Sequence, residues 1–265
     1  MRISTWNINS VRLRTGGIKT LVETHDPDIV CLQEIKIDEE RFPHAAIEAL
    51  GFPYRSVHGQ AGYHGVAILS KIPLAEPATF DWGAVGHARH QVVYLPGGIE
   101  LHNVYVPAGG DIPDPEINPK FAHKLAFMGH LTGYFREPVH RARTAILVGD
   151  LNIAPLPTDV WSHKQLLSVV SHTPVEVEAF ETFMASRPWH DAVRHFIPPE
   201  EKLFSWWSYR NRDWKLSNRG RRLDHILVTK DLAPDLGDLR VLREARDWPA
   251  CSDHVPITVD IARAQ

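Results

Sequence analysis

The sequence predicts an α/β fold in a single domain, and three patterns carry that expectation. Short apolar runs stop at glycine or a polar residue, as residues 145–148 stop at Gly149; this suits strands covered on both faces. Other stretches repeat large apolar residues near helical spacing, as Phe121, Leu125, Met128, Leu131 and Phe135 do, and mark helices with one buried face. The two kinds of segment recur along the chain, and no Ser/Gly-rich linker, low-complexity tract or internal repeat divides residues 1–265. A chain of 265 residues has room for one large α/β domain or two small ones, and the lack of a linker favours one.

Taken in order, residues 2–8 read as a strand with Asn7 at its end. A helix follows and turns Val11, Ile18, Leu21 and Val22 inward. Residues 28–32 form a second strand, with Gln33-Glu34-Ile35-Lys36 just past it. Residues 38–50 read as a helix stopped by Gly51, a natural residue beyond a helix end. Strands at 54–58 and 65–70 are joined by a glycine-containing loop, and 92–95 and 99–106 make a hairpin across Pro96-Gly97-Gly98, bringing Tyr105 to a strand end. Residues 114–137 are mostly helical. After the strand at 145–148, Thr173, Pro174 and Glu176 fit the N-cap, N1 and N3 positions of a helix running to residue 186, a capping-box start. Strands at 223–228 and 256–261 complete the pattern.

Composition narrows the function. With 43% apolar and 23% charged residues the chain is a soluble globular protein with an ample core, and no stretch approaches membrane-spanning length. No apolar signal core opens the sequence, and the two cysteines, Cys31 and Cys251, provide no disulfide framework. A reducing cytoplasm, bacterial in type, is the expected location. The net charge of −3 does not itself suggest a nucleic-acid partner, but the distribution does. Between Ser205 and Arg222, the basic residues Arg210, Arg212, Lys215, Arg219, Arg221 and Arg222 stand against the single acid Asp213, among Trp206, Trp207, Tyr209 and Trp214. Cations of this kind neutralise phosphates, and tryptophans stack on bases or line a pocket for an extruded sugar.

The chemistry sits at strand ends. Asn7, Glu34, Tyr105, Asp150 with Asn152, and Asp253 with His254 all follow or precede apolar runs. Residues just past such runs project into a crevice, not into the core. A carboxylate beside a neutral carboxamide suits metal-assisted attack on a phosphate, where charge must be managed without repelling an anion. Asp224 lies inside an apolar strand and needs a partner there; His254 is the candidate, since a carboxylate fixes an imidazole's tautomer and favours its charged form. Each residue also has a structural reading: Asn7 can cap the following helix, Glu34 can be a solvated loop acid, Tyr105 can be packing, and Trp207 can belong to the core. Recurrence at so many strand ends tells against all of these holding together.

The segments Trp6-Asn7-Ile8-Asn9, Leu32-Gln33-Glu34-Ile35-Lys36, Asn103-Val104-Tyr105-Val106-Pro107, Gly149-Asp150-Leu151-Asn152-Ile153-Ala154-Pro155, Trp207-Ser208-Tyr209, Arg222-Leu223-Asp224-His225 and Ser252-Asp253-His254 occur in this order. In that order the chain resembles exonuclease III-type apurinic/apyrimidinic endonucleases, over nearly its whole length. The resemblance implies a four-layer αββα sandwich, with two mostly antiparallel or mixed sheets face to face and helices outside. It implies a Mg²⁺ site, with Mn²⁺ also supporting activity, that includes Glu34 with Asn7 and Asp253 nearby; Asp150, Asn152 and His254 are metal-linked in some members. Asp150 would then orient or deprotonate the attacking water. Asn7, Asn152, Tyr105 and His254 would surround the scissile phosphate, and Asp224 would hold His254. The expected substrate is duplex DNA with abasic sites or blocked 3′ ends, bound by a monomer with no membrane and no cofactor beyond the metal.

Two departures bear on substrate choice. Many relatives carry Asn or Gln where this chain has Ala108, and some carry a tryptophan lining the abasic pocket where it has Arg221. Three other readings compete: a phospholipid or phosphoinositide phosphodiesterase with the same site, a catalytically inactive DNA-binding module, and a zinc hydrolase. The last rests on 16 histidines, but there is no His-Glu-x-x-His, and the close pair His87 and His90 lacks a third ligand.

Overall fold

The computed structural model describes residues 1–211 and 213–262. In chain order its strands and helices are β1 (Arg2–Asn7), α1 (Val11–His25), β2 (Ile29–Gln33), α2 (His44–Ala49), β3 (Tyr54–His58), β4 (Val66–Ser70), β5 (Ala75–Phe80), β6 (His90–Leu95) and β7 (Ile99–Tyr105). Then come α3 (Pro119–Arg136), α4 (Pro138–Arg141), β8 (Ala145–Asp150), α5 (His163–Leu166), α6 (Pro174–Met184), β9 (Trp189–Asp191), α7 (Ala192–Phe196), β10 (Trp206–Trp207), α8 (Trp214–Ser217), β11 (Gly220–Arg221), β12 (Asp224–Thr229), β13 (Leu236–Val241) and β14 (Ile257–Ile261).

Two six-stranded sheets, ordered β13-β14-β1-β2-β4-β3 and β5-β6-β7-β8-β12-β9, pack face to face. Between them Ile3, Ile29, Cys31 and Ile68 of the first sheet meet Val93, Leu101, Ile146, Val148 and Ile226 of the second. The far side of the first sheet is covered by α1 and α2 through Val11, Ile18, Leu21 and Ile47. The far side of the second is covered by α3 and α6 through Phe127, Leu131, Phe135, Phe180 and Phe183. This is the four-layer arrangement. Both sheets are mixed: β1–β2 and β7–β8 run parallel and the other pairs antiparallel.

That pairing places the site. The parallel pairs bring the ends of β1, β2, β7 and β8 to one edge. Asn7 lies opposite Gln33 in one sheet, while Tyr105, Asp150 and Asp224 are in register across the other. Because β12 runs antiparallel to β8, its first residue meets the last residue of β8. Gly149 is required in this register: its φ is +142°, and a Cβ there would lie 1.9 Å from the Val104 carbonyl oxygen.

Several boundaries differ from the sequence reading. The helix expected over 38–50 is a 3₁₀ turn at Glu39–Arg41 followed by α2, because proline at 43 holds the residue before it extended. The helix expected over 114–137 begins only at Pro119, where the Asn118 side chain accepts from Lys120 N. In α6 the Glu176 carboxylate accepts from Thr173 N at 3.1 Å, as the capping-box pattern requires. Strands β5 and β13 went unread: both are edge strands with largely exposed or half-exposed residues, so they lack the apolar alternation that marks a strand. No helix among the described residues is long and apolar enough to cross a membrane.

Candidate active site

A cleft of about 930 Å³ opens at the strand edge, lined among others by Glu34, Tyr105, Asp150, Asn152, Asp253 and His254. Asp150 is its centre. Asp150 ends β8, is almost wholly buried, and accepts from Asn152 N at 2.9 Å on Oδ1. Its Oδ2 accepts from Asn7 Nδ2 at 2.9 Å and Asn152 Nδ2 at 3.1 Å. Burial pushes the Asp150 carboxyl up to about 7, against the pull of the neighbouring His254 charge. Asn152 adopts a left-handed backbone, φ 53°, which turns its side chain back towards Asp150. It also donates to the Val106 carbonyl at 2.9 Å.

His254 stands across from Asp150, with its Nε2 3.7 Å from Oδ2. Its Nδ1 donates to Asp224 Oδ2 at 2.8 Å, and Ser205 Oγ donates to the same oxygen at 2.6 Å. Burial works against the charged ring, but the Asp224 and Asp150 carboxylates outweigh it and raise His254 to about 10. The imidazole is therefore charged at neutral pH, with Nε2 left to donate into the cleft. Ser205 was missed by the sequence reading; a serine beside two tryptophans carries no local signal for a buried hydrogen bond to an aspartate 19 positions away.

Asn7 is fully buried and uses its amide nitrogen on both Glu34 Oε1, at 2.8 Å, and Asp150. Its oxygen accepts from Asn9 N, so Asn7 ties two carboxylates together instead of capping α1, whose N-cap is Ser10. Glu34 follows β2 in a left-handed conformation, φ 52°. Although burial disfavours its charge, Lys36, 2.8 Å away, and the Asn7 hydrogen bond hold Glu34 ionised, below the usual carboxylate range. Tyr105 lies beneath, its ring under the Arg89 guanidinium at 4.6 Å. Burial and the Glu34 and Asp150 charges keep its phenol protonated. Asp253 accepts from Asn9 Nδ2 at 3.1 Å and Trp206 Nε1 at 2.9 Å.

Among the described residues, Asp150, Asp224 and His254 form the tightest group of metal-ligating types. The Nδ1 of His254 is committed to Asp224. Glu34 and Asp253 line the same cleft as Asp150 and carry hard oxygen donors of the kind Mg²⁺ takes, usually one or two carboxylates plus waters. Among the described residues His87 and His90 join no such group; both ring nitrogens of His90 are engaged, by Trp82 and His102.

The basic, aromatic stretch divides. Trp206, Arg210, Arg219 and Arg221 line the cleft. Arg221 lies over the Trp206 ring at 5.3 Å and donates to the Val170 carbonyl and Ser171 Oγ, each at 2.8 Å. Two expected DNA contacts are corrected by burial. Trp207 is fully enclosed, its Nε1 donating to Asn218 Oδ1, beside Phe204 and Trp214. Arg222 is also fully enclosed, paired with Asp191 and Asp159. Lys215 is exposed and paired with Asp247 at 2.6 Å. Arg212 lies outside the described residues. Ala108 lines the cleft with no polar side chain to offer.

The same arrangement of strands and motifs recurs in known proteins. The sequence profile of the Endonuclease/Exonuclease/phosphatase family matches residues 4–254. The chain is 30% identical over 271 residues to exodeoxyribonuclease III of Haemophilus influenzae, spanning 97% of this chain and 98% of that one. Its fold is similar to that of the 3′–5′ exonuclease NExo of Neisseria meningitidis, with a TM-score of 0.89 and 31% identity over 98% of this chain and 99% of that one. It is similar also to an AP endonuclease from Archaeoglobus fulgidus, with a TM-score of 0.90 and 28% identity over 98% of this chain and 99% of that one. With cleft, topology and motif order in agreement, the chain belongs to the Endonuclease/Exonuclease/phosphatase family.

Proposed function

We infer that this protein is a Mg²⁺-dependent DNA-repair phosphodiesterase. It cleaves duplex DNA 5′ to abasic sites and trims blocked 3′ ends, as a 3′-phosphatase, 3′-phosphodiesterase or 3′→5′ exonuclease. The observation that carries this reading is the pairing, in one cleft, of a buried carboxylate poised near neutrality with a charged histidine donor, Asp150 and His254. A rim of tryptophan and arginine, suited to a nucleic-acid strand, adjoins them. The names of the relatives, an exodeoxyribonuclease, a 3′–5′ exonuclease and an AP endonuclease, support it.

The residues divide the work. Asp150 takes a proton from the attacking water as the water oxygen bonds to phosphorus, and the bond from phosphorus to the 3′ oxygen breaks, that oxygen leaving with the electron pair and taking a proton from solvent water. A base whose pKa lies near the working pH is the effective kind. Asn7 and Asn152 keep the Asp150 carboxylate oriented. His254 Nε2 donates to the phosphoryl oxygens as charge builds on them, the preorganised stabilisation on which such transfer depends. Asp224 and Ser205 hold the imidazole in its tautomer. The family is metal-dependent, and Glu34, Asp150 and Asp253 line the cleft that an anionic substrate would enter. A Mg²⁺ held by Glu34, with Asp253 nearby, would supply Lewis acidity and neutralise the phosphate.

The test compares Mg²⁺-dependent cleavage of three substrates: a duplex with one abasic analogue, an intact blunt duplex, and a duplex with a 3′-phosphate end. Cleavage of the first or third above the second is expected. Duplex affinity with no nicking of any of them overturns the reading.

A further inference from the structure

Lys124 on α3 and Glu176 on α6 form a completely buried ion pair that the chemistry above does not use. All three ammonium protons have acceptors: Glu176 Oε1, the Asn152 carbonyl at 2.7 Å and the Ala108 carbonyl at 3.3 Å. Glu176 in turn accepts from Ser171 N at 2.9 and 2.8 Å, from Thr173 N at 3.1 Å and from Thr173 Oγ1 at 2.7 Å. One pair thus reaches three segments bordering the cleft: the chain after β7, the chain after β8, and the turn whose Ser171 Oγ receives Arg221.

Two of the residues it grips have left-handed backbones. Asn152 has φ 53°, which asparagine tolerates better than most residues, and Ser171 has φ 90°, which non-glycine residues rarely adopt. Such conformations persist only where the surroundings over-determine them. Lys124 holds the carbonyl of the first, and Glu176 holds the amide of the second. Stability alone does not explain the pair, because well-packed apolar residues of similar volume generally serve as well or better. Apolar residues cannot direct hydrogen bonds into chosen loop atoms.

We infer that Lys124, with Glu176 as its counter-ion, is a positioning residue for phosphodiester hydrolysis, locking the Asn152 segment so that Asn152 Nδ2 stays on Asp150. This rests on the proposed reading of the cleft.

The test is a thermodynamic cycle. Lys124→Met/Glu176→Leu, and separately Lys124→Gln, are made in the wild-type and Asn152→Ala backgrounds. Lys124→Gln leaves Glu176 with the Ser171 and Thr173 donors, so it serves if the double swap does not fold. Melting temperature, kcat and KM are measured on an abasic duplex with Mg²⁺. In the wild-type background kcat falls about tenfold or more while KM stays within about threefold; in Asn152→Ala the same changes cost less than about threefold, as coupled residues do. Equal losses in both backgrounds, or an unchanged kcat in the wild-type background, overturn the inference and leave the reading of the cleft intact. A wild-type protein that cleaves nothing removes that reading instead.

Discussion

Replacing Asp224 by asparagine removes the charge beneath His254 while keeping the shape of the side chain. Asp224 is fully buried; its Oδ2 accepts from His254 Nδ1 at 2.8 Å and from Ser205 Oγ at 2.6 Å. An asparagine oxygen can take the same bonds. What changes is electrostatic. Burial alone would lower His254, and Asp224 is the largest influence raising it from 6.5 to about 10. Losing that carboxylate lowers the imidazolium pKa by about two units, or about 3 kcal/mol at 1.4 kcal/mol per unit. Activity that needs the charged ring then fails at a lower pH. In a profile of kcat/KM for nicking an abasic duplex, the alkaline limb lies near pH 10 in the wild type, following the His254 value. In Asp224→Asn it moves down by about two units, and kcat/KM at pH 9 falls about tenfold as the charged fraction of the ring drops from about 0.9 to about 0.1. Stability carries the same sign: a raised imidazole stabilises the fold fully below its unfolded value of 6.5 and loses that contribution as pH rises through about 10. The wild type should therefore melt above the variant by the widest margin at pH 6, with the gap closing towards pH 10. An alkaline limb that stays in place would refute the pairing as the source of the histidine's charge.

Three other perturbations separate the remaining roles. Asp150→Asn should reduce nicking by about 10³-fold or more while duplex binding, measured by fluorescence anisotropy, is retained; substantial turnover would take Asp150 out of the proton transfer. Glu34→Ala should raise the Mg²⁺ concentration needed for half-maximal activity by about tenfold, and an unchanged titration would argue against a ligand role. Arg222→Met strips a fully buried guanidinium from its Asp159 and Asp191 partners and should cost about 3–5 kcal/mol in denaturant unfolding. The folded fraction should bind DNA unchanged; weaker binding at equal folding would return Arg222 to the DNA surface.

The sequence by itself determined the strand ends. An apolar run that stops at a polar residue announces both the buried strand and the crevice beyond it, so Asn7, Glu34, Tyr105, Asp150, Asn152 and His254 were legible before any coordinates. The partner of Asp224 was legible too, because a carboxylate inside an apolar strand needs one. Only the tertiary structure decided which members of the basic, aromatic stretch face the cleft. Trp206 and Trp207 are neighbours in one strand, as Arg221 and Arg222 are neighbours at the end of another, and successive side chains of extended chain point to opposite faces. One of each pair lines the cleft and the other is enclosed. Local composition is the same for both, so the assignment waits on what packs behind: Asp159 and Asp191 for Arg222, Phe204 and Trp214 for Trp207. The Lys124–Glu176 pair was hidden for the same reason. A lysine on a helix and a glutamate at a capping position are ordinary surface choices until α3 and α6 close over them, and burial by distant chain is a property no window of sequence contains.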